Sequence, residues 1–445
     1  MKRIRIAGAL LAGVLCAQSV VPAGAVNALD LAGIGIGAAA SAVQDALGSE
    51  GVNAAPPVQD EQSIGFAGLE KTVRANNKTI QGFQKTLAGI EDTDLDGQFI
   101  GQEAQYTAQY QQYQAEYNVY DQYVKALQQS ADAGSDVVQA QIAMAMALRK
   151  MAEESMRATQ AIINGLDDAQ DDAQDQLDDT YTATKKQLEN AANQIVVGAQ
   201  TAYIGIITTR EGIATLDRSL AALDRSIAAV EKQVELGMAS QLTLDNLRQS
   251  RRTAAAQRET LTLMQTSTEN QLSLLCGNTA TTTVKPTTLP TVTDKQLSDM
   301  NYETDLAEAL DNSYSIWSAQ DEVRKASNDY EDNVTTTVDA YEAAKLNLEY
   351  AKESATNSFR QIFQDVKDKK RLLDEAKAAY DTEKKNFDVD ALQYERGMIS
   401  QLDYLTAQDD LAAKQDAVTT AEHDLFTAYN TDDWAKRGYM AGGAA

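Results

Sequence analysis

The five prolines of this 445-residue chain stand at Pro22, Pro56, Pro57, Pro286 and Pro290. Proline cannot donate to the helical hydrogen-bond ladder and clashes with the turn before it. Val58 to Lys285 and Thr291 to Ala445 are therefore free of the strongest helix breaker. From Ile213 the apolar residues fall at Leu216, Leu220, Leu223, Ile227, Val230 and Val234, mostly in steps of three and four. That is the seam of a coiled coil and not the alternation of a strand. Tyr106, Tyr110, Tyr113, Tyr117, Tyr120 and Tyr123 repeat the spacing, which predicts core or subunit contact for the aromatic stripe. An unbroken helix from Asp179 to Glu235 would be a rod of about 85 Å. The expected fold class is all-α: long antiparallel helical hairpins and coiled coils in two internal repeats, elongated, with no clear β-barrel.

Lys2, Arg3 and Arg5 precede an apolar run from Ile6 to Cys16, and Ala23 and Ala25 offer a cleavage site, the pattern of an export signal. The residue before Cys16 is Leu15, whereas lipoprotein processing requires a small residue there, so no lipid anchor is expected. Cys276 alone remains beyond the leader, which excludes an internal disulfide framework and a multi-cysteine metal site. The expected order is a signal peptide at 1–25, a low-complexity segment at 26–64 and a first helical repeat at 65–277. A Thr/Pro-rich linker at 278–298, a second repeat at 299–438 and a flexible tail at 439–445 follow.

Against 39 basic residues stand 65 acidic ones, a net charge of −26. That excess disfavours nucleic acid and anionic lipid surfaces as partners. Beyond the leader the most apolar stretch is Leu31 to Val43, shorter than the roughly 17 to 25 residues of a spanning helix. The acidic run Leu166 to Asp179 reads as a solvated helix face. The one histidine, His423, lies between Glu422 and Asp424 and reads as a surface residue. No partner motif for a nucleophile and no phosphate-binding glycine loop accompanies it, so no enzymatic activity is expected.

One hexapeptide occurs almost twice: GMASQL at Gly237 to Leu242 and GMISQL at Gly397 to Leu402. Gly237 and Gly397 suit the left-handed residue that ends a helix, and Ser240 and Ser400 suit the N-cap of the next. Asp403 completes a capping box with Ser400, where Thr243 departs from it. At the same offset Tyr203 aligns with Phe363, Leu220 with Tyr380, Ile227 with Phe387 and Val234 with Tyr394, as an internal duplication of a helical hairpin requires.

These residues resemble the outer-membrane efflux protein family, the TolC-like export ducts, whose two repeats each carry a Tyr-x-x-Gly-x-x-Ser tip. YERGMIS at Tyr394 to Ser400 matches that tip in full, and VELGMAS has Val234 for the tyrosine. LAEALDNSYSI at Leu306 to Ile316 resembles the family's opening stretch, with Ser313 near the usual proline. LEKTVRANNKTI at Leu69 to Ile80 matches it more loosely, and LSLLCGN at Leu272 to Asn278 resembles the close of a first repeat. The resemblance implies a homotrimer enclosing a tunnel in the cell envelope. It also implies tips formed by Gly237, Met238, Ser240, Gly397, Met398 and Ser400, docking on the membrane-fusion adaptor of an inner-membrane transporter. The family's barrel strands are not found: no pair of alternating strands of roughly 9 to 11 residues occurs. The alternative from another class is an exported coiled-coil protein that binds a partner or calcium and conducts nothing.

DTDLDGQFIGQE, Asp92 to Glu103, fits the twelve-residue calcium loop. Asp92, Asp94 and Asp96 would supply oxygens, Gly97 the turn, Gln98 a carbonyl and Glu103 a bidentate carboxylate. A plain helix-loop-helix connection is the other reading. No other cofactor is expected.

Overall fold

A computed structural model describes residues 60–278 and 282–440. The signal peptide and its cleavage site, the Leu31 to Val43 stretch and residues 441–445 lie outside the described residues. The elements run β1 (Asp60–Ile64), α1 (Phe66–Asn76), α2 (Lys78–Glu91), α3 (Leu95–Gln128), α4 (Asp136–Asn164), α5 (Leu166–Glu235), α6 (Gln241–Leu275) and β2 (Thr282–Pro286). After β2 come α7 (Asp294–Asp299), α8 (Tyr302–Asn312), α9 (Tyr314–Asn328), α10 (Thr335–Glu395) and α11 (Gln401–Lys436). The all-α class holds: the only strands among the described residues are β1 and β2, five residues each, which pair in parallel with Asp60 opposite Thr282. The Thr- and Pro-rich connection between the repeats thus contributes β2 and α7.

The duplication is visible in the order of elements. α1 and α8 have 11 residues each, α5 and α10 have 70 and 61, and α6 and α11 have 35 and 36. At ~1.5 Å rise per residue α5 spans about 105 Å and α10 about 90 Å. α3 and α4 have no counterpart in the second repeat, where α9 passes into α10 through a short turn.

The described chain divides into two compact units, one of Gln84–Lys185 and one of the described parts of Pro22–Phe83 and Lys186–Ala445. In the first, α3 and α4 form an antiparallel hairpin. Its thin core holds Val124, Ile142, Ala145 and Ala152, and Arg149 reaches Asp121 at 2.7 Å. The tyrosine stripe lies along α3, but Tyr106 to Tyr120 are only half-buried and Tyr123 is 49% exposed. A two-helix layer has too little depth to enclose six such rings. In α5 the aspartates of Leu166 to Asp179 are all exposed, as a solvated face requires.

In the second unit the largest core gathers Leu69, Val73, Val196, Tyr203, Ile206, Leu272, Val284 and Trp434. Tyr203 is fully buried; its hydroxyl accepts from the Thr287 amide at 3.1 Å and reaches the Ile64 carbonyl at 3.1 Å, so one phenol ties α5 to the ends of both strands. Its counterpart Phe363 is buried with Ala309, Phe359 and Ala435. A third cluster, Val366, Leu373, Val418, Leu425 and Ala428, seals α10 to α11.

The paired helix turns as candidate docking tips

α5 ends at Glu235 and α10 at Glu395, and in both the chain reverses through the same bonds. The Met238 amide donates to the Gln233 carbonyl at 2.7 Å and the Gly237 amide to Val234 at 3.0 Å. The Met398 amide donates to Gln393 at 2.8 Å and Gly397 to Tyr394 at 2.9 Å. These paired bonds are the Schellman closure, which requires a left-handed residue at the glycine, and φ is +71 at Gly237 and +70 at Gly397. Ser240 then accepts from the Thr243 amide at 3.1 Å, and Ser400 from the Asp403 amide at 3.2 Å. Asp403 returns the contact by accepting from the Ser400 amide at 3.2 Å, which makes the capping box of the second turn.

Both turns are open. A Cβ on either glycine would have nothing within 4 Å. Leu236, Met238 and Leu242 are 74%, 75% and 70% exposed, and Met398 is 61% exposed. Isolated exposed apolar residues are ordinary, but Leu236, Met238 and Leu242 within seven residues at the end of a hairpin form a contact patch. Behind the second tip, Tyr394 stacks on Tyr404 with centroids 4.7 Å apart.

A ladder of polar contacts sets the two turns side by side. Gln200 on α5 accepts from the indole of Trp434 at 2.7 Å, Glu211 faces His423 at 3.0 Å, and Arg218 and Arg225 bond Asp416 and Asp409 on α11. From Glu211 onward each rung moves seven residues down α5 and seven back along α11. Twelve residues beyond the Arg225 rung on both helices lie Gly237 and Gly397, level with each other. A second ladder on α5 faces α6: Asp217 with Arg258 and Asp224 with Arg251, both at 2.5 Å, and Glu231 with Arg248 at 2.8 Å. Hydrogen bonds from the two arginines hold Asp217 and Asp224 below the usual carboxylate range. Burial raises Glu211, and the pull of His423 opposes it. His423 is therefore not the surface residue expected. Its side chain is only 15% exposed, because the seventh position of α11 faces α5.

The other two left-handed helix ends are closed. Gly277 and Gly438 end α6 and α11 with the same paired bonds, Asn278 to Ser273 at 3.0 Å and Tyr439 to Trp434 at 2.9 Å. A Cβ there would lie 2.1 Å from the Asn76 carbonyl oxygen and 2.0 Å from that of Asn312. The end of each opening helix thus presses on the closing glycine of its own repeat. Asn77 donates to the Leu275 carbonyl and Asn312 to the Lys436 carbonyl, both at 2.9 Å. The tips were legible in the sequence as a repeated hexapeptide; the ladders were not. Their signal, charges at Glu211, Arg218 and Arg225 against His423, Asp416 and Asp409, acquires meaning only once the antiparallel register is known.

Asp92 to Asp94 form a short connection between α2 and α3, the plainer of the two readings of the Asp92 to Glu103 stretch. α3 begins at Leu95, with Asp94 as its N-cap accepting from the Gly97 amide at 2.8 Å. Gly97 is small because Asp94 Oδ2 would lie 2.2 Å from its Cβ, and its φ is not among the left-handed ones. Asp96 accepts from Gln170 at 2.7 Å, and Gln98 and Glu103 are strung along the helix beyond it. Among the described residues no three acidic, histidine or cysteine side chains gather as a metal centre needs.

No family model matches the chain, and no curated protein matches its sequence. Its structure is similar to several solved ones. For CusC, whose structures concern folding and transmembrane channel formation, the TM-score is 0.47 at 13% identity, over 85% of this chain and 95% of that one. A membrane protein from Pseudomonas aeruginosa gives 0.45 at 15% identity, over 82% and 90%. The outer membrane protein VceC from Vibrio cholerae gives 0.43 at 12%, over 59% and 74%. Likeness at this level assigns no activity by itself.

Proposed function

We propose that the chain is a TolC-like duct component of an envelope efflux or export system, acting as a passive homotrimeric tunnel. The energy would come from an inner-membrane transporter, and the protein itself would catalyse nothing. The observation that carries this reading is the pair of open turns. Two identical closures stand level with each other, bare of packing at both glycines, with Leu236, Met238, Leu242 and Met398 facing outward. Turns that served chain reversal alone would have no reason to share sequence, level and exposed methionines. Gly237, Met238, Ser240, Gly397, Met398 and Ser400 are the proposed docking surface for a membrane-fusion adaptor. Their test is capture of a membrane-fusion adaptor from the same organism by the parent and by Gly237→Val/Gly397→Val. The expected result is loss of capture with helicity and oligomeric mass retained. Unchanged capture by the folded double variant would reduce the hexapeptide to turn geometry.

A further inference from the structure

Helix α4 carries two heptad seams, and the hairpin fills one of them. Val138, Ile142, Ala145, Arg149, Ala152, Met156 and Thr159 face α3 in steps of four and three, all buried or half-buried. On the opposite side Val137, Ala140, Met144, Ala147, Met151, Glu154, Ala158 and Ala161 follow in steps of three and four, and every one is exposed. Val137, Met144 and Met151 are 70%, 67% and 62% exposed. A sustained three-four repeat of this kind is the seam that a second helix occupies.

We infer that the exposed seam of α4 is an interface between copies of this chain, occupied by the same hairpin of another protomer. Charge selects that occupant. In a chain of net charge −26 most of the surface repels another copy, but Val137 to Leu148 contains no charged residue. Two copies can approach there without like-charge repulsion. Further along, Lys150 and Arg157 flank the seam and Glu154 lies in it, with side chains 75%, 77% and 65% exposed, so each copy offers the other both signs. A lipid surface fits less well. Interfacial helices present Trp and a basic polar face, whereas the chain's two tryptophans are Trp317 and Trp434, far from α4 in sequence, and α3 offers mainly Gln. Methionine also suits a helix-helix seam, since its flexible thioether fills irregular gaps.

This interface rests on the proposed duct being an oligomer, and it assigns to the unduplicated hairpin the role of joining protomers. The test compares the mass of the purified parent with that of Met144→Glu/Met151→Glu, and with Gln111→Glu/Gln114→Glu on α3 as a control of equal charge placed off the seam. The seam variant is expected to associate at least tenfold more weakly, and the control to match the parent. In a three-fold assembly like positions of parallel seams meet, so cross-linking Met144→Cys chains with a short bismaleimide is expected to give covalent dimers. A trimeric parent with an unchanged seam variant and no cross-link would overturn the interface and leave the duct standing; a monomeric parent would overturn both. Flotation of the parent on phosphatidylcholine/phosphatidylglycerol vesicles that the seam variant loses would overturn it in favour of lipid.

Discussion

Gly277 and Gly397 share a left-handed backbone, φ +81 and +70, but a Cβ meets the Asn76 carbonyl at the first and open space at the second. The two positions therefore respond differently to one methyl group. Gly397→Ala is expected to cost about 1 to 2 kcal/mol, the backbone term alone. Gly277→Ala or Gly438→Ala adds a collision with main chain that cannot rotate away, about 1 to 3 kcal/mol more. Urea denaturation of the three variants checks the order. Asp432 is the other residue under stress. It is fully buried with neither oxygen hydrogen-bonded and Lys436 Nζ 3.3 Å away. Burial raises its pKa above the ordinary 3.8, and Lys436 only partly opposes the shift. A carboxyl whose folded pKa is raised contributes stability that is fully present below its unfolded pKa and lost as pH rises through the folded value. Stability of the parent relative to Asp432→Asn is therefore expected to fall as pH climbs from below 3.8 through that raised value. A difference that stays flat with pH would contradict the assignment. Burial also pushes the Cys276 thiol up to about 11, so maleimide should label it only after unfolding.

At the scale of the element, the α5–α11 ladder is half-exposed. Its rungs contribute register more than energy, since an exposed ion pair is worth about 0.2 to 1 kcal/mol. A double-mutant cycle on Arg225→Ala and Asp409→Ala should give a coupling in that range which shrinks in high salt. Loss of Asp94, the N-cap of α3, should cost about 1 kcal/mol. With Glu103 about two and a half helical turns past that cap, Glu103→Gln is expected to melt at the parent's temperature with calcium or with chelator. A calcium-dependent rise in the parent that this variant loses would restore the loop as a metal site. What the sequence made legible was local. Proline placement and heptads such as Leu216 to Val234 marked the helices, and the Gly-Met-x-Ser repeats marked their turns with both caps correct. Contacts between distant helices stayed hidden. His423 looks solvated beside Glu422 and Asp424, and only the antiparallel pairing turns it toward Glu211. The Asp92 to Glu103 stretch shows the converse, because its acids have calcium spacing while the helix that starts after the Asp94 N-cap takes up Asp96 and Glu103.

For the whole molecule, the duplication leaves two hairpins with equal closures and level open tips, and one unduplicated hairpin, α3–α4, in the first repeat. In the proposed assembly the long hairpins form the wall of a tunnel, the tips its docking end and the extra hairpin a joint between protomers. The most direct test is electron microscopy of the purified chain. Ring-shaped particles with three-fold symmetry and a central channel walled by helices are expected. Monomers or dimers without an enclosed lumen would contradict that assembly.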